Sequence, residues 1–131
     1  MYNTDAGGNQ VVGEPLMEAT MDLAQAADTY DLITAAGDVL IKKVIFYVST
    51  VGATFTSVSV QTDDTTSLEL LSAVEGAVAE LTAGRNLKAI TTPFRLSDGQ
   101  KIQFTIVGAT GTGEIKVAVI YQAISANASI S

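Results

Sequence analysis

Apolar and polar positions alternate with a period of two over most of this chain, and that period marks half-buried β-strands. Ile102, Phe104 and Ile106 oppose Lys101, Gln103 and Thr105. Ile115, Val117, Val119 and Tyr121 likewise oppose Lys116 and Ala118. The glycine-rich stretch between these runs is therefore expected to join two antiparallel strands as a hairpin. Val58 and Val60 point inward against Ser57, Ser59 and Gln61 over 55–62, and Tyr30 to Thr34 forms a short strand ended by Ala-Ala-Gly-Asp. Over Val39 to Val51 both sets of alternate positions are apolar. Val44, Phe46 and Val48 lie on one side and Ile45 and Tyr47 on the other, which predicts a central strand covered on both faces.

Two segments are ambiguous. From Leu16 to Ala27 the alternation of Met17, Ala19, Met21 and Leu23 favours a strand, although Pro15 and the Ala, Met and Leu content also suit a helix. The strand is preferred because everything downstream is β. In 68–81 Ser72 and Glu75 imitate a helix capping box, but Gly76 would fall inside its first turn, so two short strands around Glu75-Gly76 fit better. Residues 82–87 read as a turn, Phe94 to Leu96 as a short strand after Pro93, and Ser97-Asp98-Gly99 as a tight turn. About eight strands at this spacing predict an all-β antiparallel sandwich of jelly-roll type. The domain would cover 16–125, preceded by an extended arm over 1–15 and followed by a polar tail over 126–131.

Candidate chemistry changes this picture little. The segment Gly108-Ala109-Thr110-Gly111-Thr112-Gly113 has the glycines of a phosphate loop, but Glu114 stands where the lysine is needed. The chain has no His and no Cys, which removes the commonest general base, zinc ligand and thiol nucleophile. Asp63, Asp64 and Asp98 could serve as a carboxylate pair for glycoside hydrolysis, and Asp63 with Asp64 as a calcium site. All three sit where Asp is an ordinary turn residue, and no EF-hand spacing is present. The reading is accordingly no enzyme, no cofactor, no metal and no catalytic residue. Tyr30, Tyr47 and Tyr121 read as core aromatics with satisfied hydroxyls, Arg85 and Arg95 lie apart in strand-poor regions, and Asn127-Ala128-Ser129 is only a formal glycosylation sequon.

Charge adds one asymmetry. Seven acidic residues, Asp5 to Asp38, precede the first basic one, Lys42; from Lys42 onward seven acidic and seven basic residues cancel, leaving −7 overall. An acidic first third disfavours nucleic acid as a partner. With 131 residues the chain reads as one domain, and neither a membrane span nor a classical export signal is expected. Charged residues make up 16%, below the ~25% usual for soluble domains, so some apolar surface is expected to be buried between subunits.

The series "TYDLITAAGDVLIKKVIFYVST", "SVSVQTDD", "LTAGRNL" and "LSDGQKIQFTIVGATGTGEIKVAVIYQAI" resembles small virion proteins of tailed bacteriophages, over about Ala19 to Ile124. It is similar to the β-sandwich domains that decorate capsids or form short fibres on heads and tails. The resemblance implies a capsid decoration protein made in the host cytoplasm. It would be a homo-oligomer, commonly a trimer, bound to the major capsid protein or another virion protein on the outer surface of the head. A fibre or receptor-binding module with a groove at loop tips such as 62–67 and 108–113 is the rival. A carbohydrate-binding module is disfavoured by the absence of Trp and the few aromatics.

Overall fold

The computed structural model describes residues 2–4, 10–12, 16–50, 54–64 and 67–131. Near the N-terminus, β1 (Tyr2–Thr4) and β2 (Gln10–Val12) pair with each other antiparallel. The rest of the expected arm over 1–15, the turn at Gly52 and part of the Thr-rich loop lie outside the described residues.

Ten further strands follow: β3 (Leu16–Asp22), β4 (Thr29–Ala36), β5 (Val39–Thr50), β6 (Phe55–Thr62), β7 (Glu69–Leu71), β8 (Arg85–Ile90), β9 (Phe94–Leu96), β10 (Lys101–Gly108), β11 (Glu114–Ala123) and β12 (Ser129–Ile130). They form two antiparallel sheets, one ordered β3-β11-β5-β8 with β9 also on β5, the other ordered β12-β4-β10-β6-β7. Among these ten strands the chain passes from one sheet to the other at nearly every connection, and only β6 and β7 are consecutive and paired with each other. This is the eight-strand jelly-roll order with β12 added at one edge. The sandwich expected from the alternation is therefore present.

The inward residues of both sheets make the core. Met21, Ile41, Phe46, Val117 and Val119 meet Ile33, Val58, Val60, Ile102 and Phe104 across the interior, all essentially inaccessible. Tyr30 stacks its ring 5.4 Å from that of Phe104 and donates its hydroxyl to the Ala26 carbonyl, as expected for a core aromatic. Among the described residues no buried side-chain polar atom lacks a hydrogen bond.

Several expectations are corrected. β10 and β11 are not a hairpin: β10 pairs with β4 and β6, β11 with β3 and β5, so the glycine-rich stretch crosses between the sheets. Gly108 makes the departure, with φ +103 and a position where a Cβ would come within 2.6 Å of the Thr56 amide nitrogen. The expected turn over 82–87 is present in its first half, where the Arg85 amide donates to the Thr82 carbonyl and Gly84 has φ +77, but β8 begins at Arg85, so Arg85 lies in a strand and Arg95 in β9. The second short strand after Gly76 is reduced to a single bridge from Ala77 to Ser57, followed by the 3-10 helix Val78–Glu80.

The Ser72–Glu75 box forms in full. The Ser72 amide donates to Glu75 Oε1 at 2.9 Å and the Glu75 amide to Ser72 Oγ at 3.1 Å, closing a single turn instead of opening an α-helix. Gly76 then presses its backbone onto β6: the Val58 amide donates to the Gly76 carbonyl, and a Cβ at Gly76 would lie 1.8 Å from the Val58 oxygen. The polar tail over 126–131 also pairs, since β12 adds to β4 and buries Ile130.

Candidate assembly surface

The two sheets share a core but present unlike outer faces. On the β4-β10-β6 side the outward residues are mostly polar and bonded to one another, with Val107 exposed at the end of β10. Gln103 Nε2 donates to Asp31 Oδ1 at 2.8 Å, and Lys101 Nζ reaches Asp31 Oδ2 at 2.9 Å. Thr29 and Thr105 share a hydrogen bond at 2.9 Å, and Gln61 Nε2 donates to Thr105 Oγ1 at 3.2 Å. Register explains this ladder: Gln103 stands opposite both Asp31 and Gln61, and Thr105 opposite Thr29. The Gln103 hydrogen bond, then that of Lys101, holds the Asp31 carboxyl below its ordinary range; Asp31 in turn raises Lys101.

On the β3-β11-β5-β8 side the centre is apolar. Register sets Ile45 opposite Ala118 and Ala89, and Ile120 opposite Leu16. Tyr47, next along β5, is 39% exposed and Leu16 65% exposed. β5 is central, as expected, but its second face is only partly covered among the described residues, and Tyr47 is exposed there, which corrects the reading of Tyr47 as a core aromatic. Polar groups lie around the apolar centre. Lys43 and Glu18 flank it on opposite sides, and neither has a hydrogen-bond or ion-pair partner among the described residues. At one end Glu114 accepts from Ser49 Oγ at 2.8 Å and meets Lys116 at 3.3 Å, and these two contacts, Ser49 first, lower its carboxyl. Lys116 also donates to Thr20 Oγ1. An apolar centre inside a polar rim is the usual anatomy of a protein contact.

The carboxylates singled out as candidate acids all pin turns. Asp63 Oδ1 accepts the Lys101 amide, Asp64 accepts the Thr62 hydroxyl, and Asp98 Oδ1 accepts the Gly37 amide. Asp38, which drew no notice in the sequence, is the busiest: it accepts from the Asp98 amide and from Arg95, and the two together, the Asp98 amide first, lower its carboxyl. Among the described residues no three Asp or Glu come together as a metal site, and no helix is long and apolar enough to cross a membrane.

The described ends of the two loops lie apart. The 62–67 loop is tied to Lys101 at the start of β10, while the glycine-rich crossover leaves Gly108 at its end. Eight strand residues, roughly 25 Å, separate them. One recess of about 350 Å³ lies by Val74, Glu75, Glu80, Arg85 and Leu87. The Glu75 carboxylate there is already taken by Lys88 at 2.8 Å and by the Ser72 amide. What remains is one guanidinium and one carboxylate, which converge on nothing.

The residues of the apolar face were missed individually because each is an ordinary strand residue. The signal available was joint: β5 and β11 both carry apolar residues at outward positions, and they are neighbours.

No protein-family model matches the chain, and no curated protein matches it. A chain in the acidic-stable capsid structure of Helicobacter pylori bacteriophage KHP30 has a similar fold, with a TM-score of 0.53 and 16% identity. The match covers 92% of this chain and 95% of that one, so the two are nearly the same length and the likeness extends over the whole sandwich.

Proposed function

We propose that this chain is a non-enzymatic structural protein of a tailed-phage particle, a decoration protein that self-associates and sits on the outer surface of the head. The observation that carries the reading is the fold match along almost the full length of both chains, to a chain of a phage capsid. A free-standing jelly roll of this size suits a protein added to a shell.

The surfaces of this chain favour the same role. Its candidate carboxylates are spent on turns, and an apolar sheet face with a charged rim stays partly exposed. Four strands about 4.8 Å apart and seven residues long make a face of roughly 19 by 23 Å. That is about half of what one partner contributes to a standard interface, as befits a contact repeated over a lattice. The capsid or another virion protein would cover it.

Gold-labelled antibody to the chain, applied to purified particles of the phage that encodes it, tests the reading. Label spread over the head is the expected result. Label confined to the tail tip would replace decoration by a fibre role, and particles without label would remove the virion reading.

A further inference from the structure

We propose that β3 is a self-association edge: two copies of this chain join antiparallel along β3, centred on Ala19, to make one continuous sheet across both sandwiches.

Sheet edges are usually blunted, and here three are. β7 and β12, the ends of one sheet, are only three and two residues long. β8 carries Arg85 and Lys88, its ladder to β5 is broken by a register shift, and Lys88 is bridged to Glu75 of the neighbouring turn. β3 carries the exposed charges Glu18 and Asp22 but is neither short, nor broken in register, nor bridged to a neighbouring turn. It is seven residues long, its register with β11 is unbroken, its inward residues are Met17, Ala19 and Met21, and no described strand pairs with its other side.

The backbone fixes which groups face that open side. The Leu23 amide donates to the Gly113 carbonyl on the line of β11. Because strand N–H and C=O groups alternate sides, Met21, Ala19 and Met17 also point theirs at β11. Leu16, Glu18, Thr20 and Asp22 point theirs outward.

A second β3 must therefore pair these even-numbered residues with each other, which leaves few registers. Centring on Glu18 sets two Glu18 carboxylates face to face, and centring on Thr20 sets Glu18 against Asp22. Centring on Ala19 avoids both. It places Glu18 opposite Thr20 and Leu16 opposite Asp22, and it alone pairs all seven residues of both strands. The full-length register and the one without like-charge contacts are the same.

The twofold axis of such a pair stands normal to the sheet, so the apolar outer faces of both copies point the same way and form one surface of twice the width. The contact closes at two copies, not at the three that the phage resemblance implies. It shares with the virion reading only the expectation of self-association, and its failure would leave the location on particles untouched.

The chain has no cysteine, so single-cysteine variants report the register directly. In the Ala19-centred pair the two Cα atoms of position 19 are about 4.5 Å apart, within disulfide reach. Light scattering across a dilution series should give a dimer for the wild type. On mild oxidation Ala19→Cys should form a covalent dimer ahead of Glu18→Cys and Thr20→Cys. Thr20→Glu, which puts a carboxylate opposite Glu18 of the other copy twice over, should raise the dimer dissociation constant about tenfold relative to Thr20→Gln, with unchanged melting. A monomer at every concentration, a trimer, faster cross-linking at 18 or 20, or equal dissociation of the two Thr20 variants would each overturn the proposal.

Discussion

The outer face of β4-β10-β6 and the outer face of β11-β5 are built on the same core by the same alternation, yet they are made of different side chains. On the first, each long polar side chain finds a partner on the next strand, as Gln103 does with Asp31 and Thr105 with Thr29. On the second, Ile45, Ala118 and Ile120 lie side by side with Tyr47 exposed beside them. Cross-strand hydrogen bonds close a face against water, while apolar neighbours leave it in want of a cover. The difference is one of composition: one face carries its own cross-strand hydrogen bonds, and the other is the face the proposed assembly would use.

The largest effects should come from the core that both faces share. Phe104 points inward from the polar-faced sheet and Phe46 from the apolar-faced one, and both are buried. Phe104→Ala and Phe46→Ala should each cost about 3–5 kcal/mol in chemical denaturation. A loss below about 1 kcal/mol for either would mean that its sheet does not contribute to a common interior.

Acid should separate the faces next. Asp31 and Asp38 are held below the ordinary aspartate value of 3.8, and Glu75 and Glu114 below the glutamate value of 4.5; Lys88, then the Ser72 amide, acts on Glu75. A depressed carboxyl adds stability above its unfolded value and loses it as pH falls through the folded one, so the melting temperature should drop below about pH 4. Lys101 is raised from 10.5, and its share is present below that value and lost as pH rises through the folded one. Asp31→Asn should flatten part of the acid limb and of the alkaline limb, because it removes the partner of Lys101. Asp38→Asn should flatten the acid limb alone. An unchanged alkaline limb in Asp31→Asn would break the assigned coupling. These groups are exposed, so added salt should shrink both limbs.

How far the sequence reveals all this follows from what alternation encodes. It tells which residues share a face, so β3, β4, β5, β6, β10 and β11 were legible, and with them the sandwich. It does not tell which strand lies alongside. A hairpin and an inter-sheet crossover need the same glycines, and Gly108 to Gly113 were misread for that reason. β8 was missed because a bulge opposite Phe46 and Tyr47 breaks its period and Arg85, Asn86 and Lys88 dilute its apolar content. β12 was missed because two residues carry no period, although Ile130 is buried. The assembly surface was half legible. The two-sided apolar pattern of β5 was visible, but it was read as covered on both faces, since alternation does not tell which residues of the second face stay exposed, as Tyr47 does.

The smallest effect on the fold should come from the residue that matters most to that second face. Ile45→Thr keeps the β-branched shape that suits a strand and removes one methyl-rich surface in favour of a hydroxyl that water can reach. Because Ile45 faces outward between Ala118 and Ala89, its replacement should change the unfolding free energy of the isolated chain by less than about 1 kcal/mol. Occupancy on particles should fall instead, measured by adding labelled wild-type and Ile45→Thr chains in competition to heads lacking the protein. Gln103→Ala, made at the matching position of the polar face, should leave occupancy unchanged. Equal occupancy of Ile45→Thr and wild type would show that the apolar face is not the one that meets the particle. A large stability loss from Ile45→Thr would show that the chain itself already covers it, and the contrast between the two faces would then be one of packing instead of assembly.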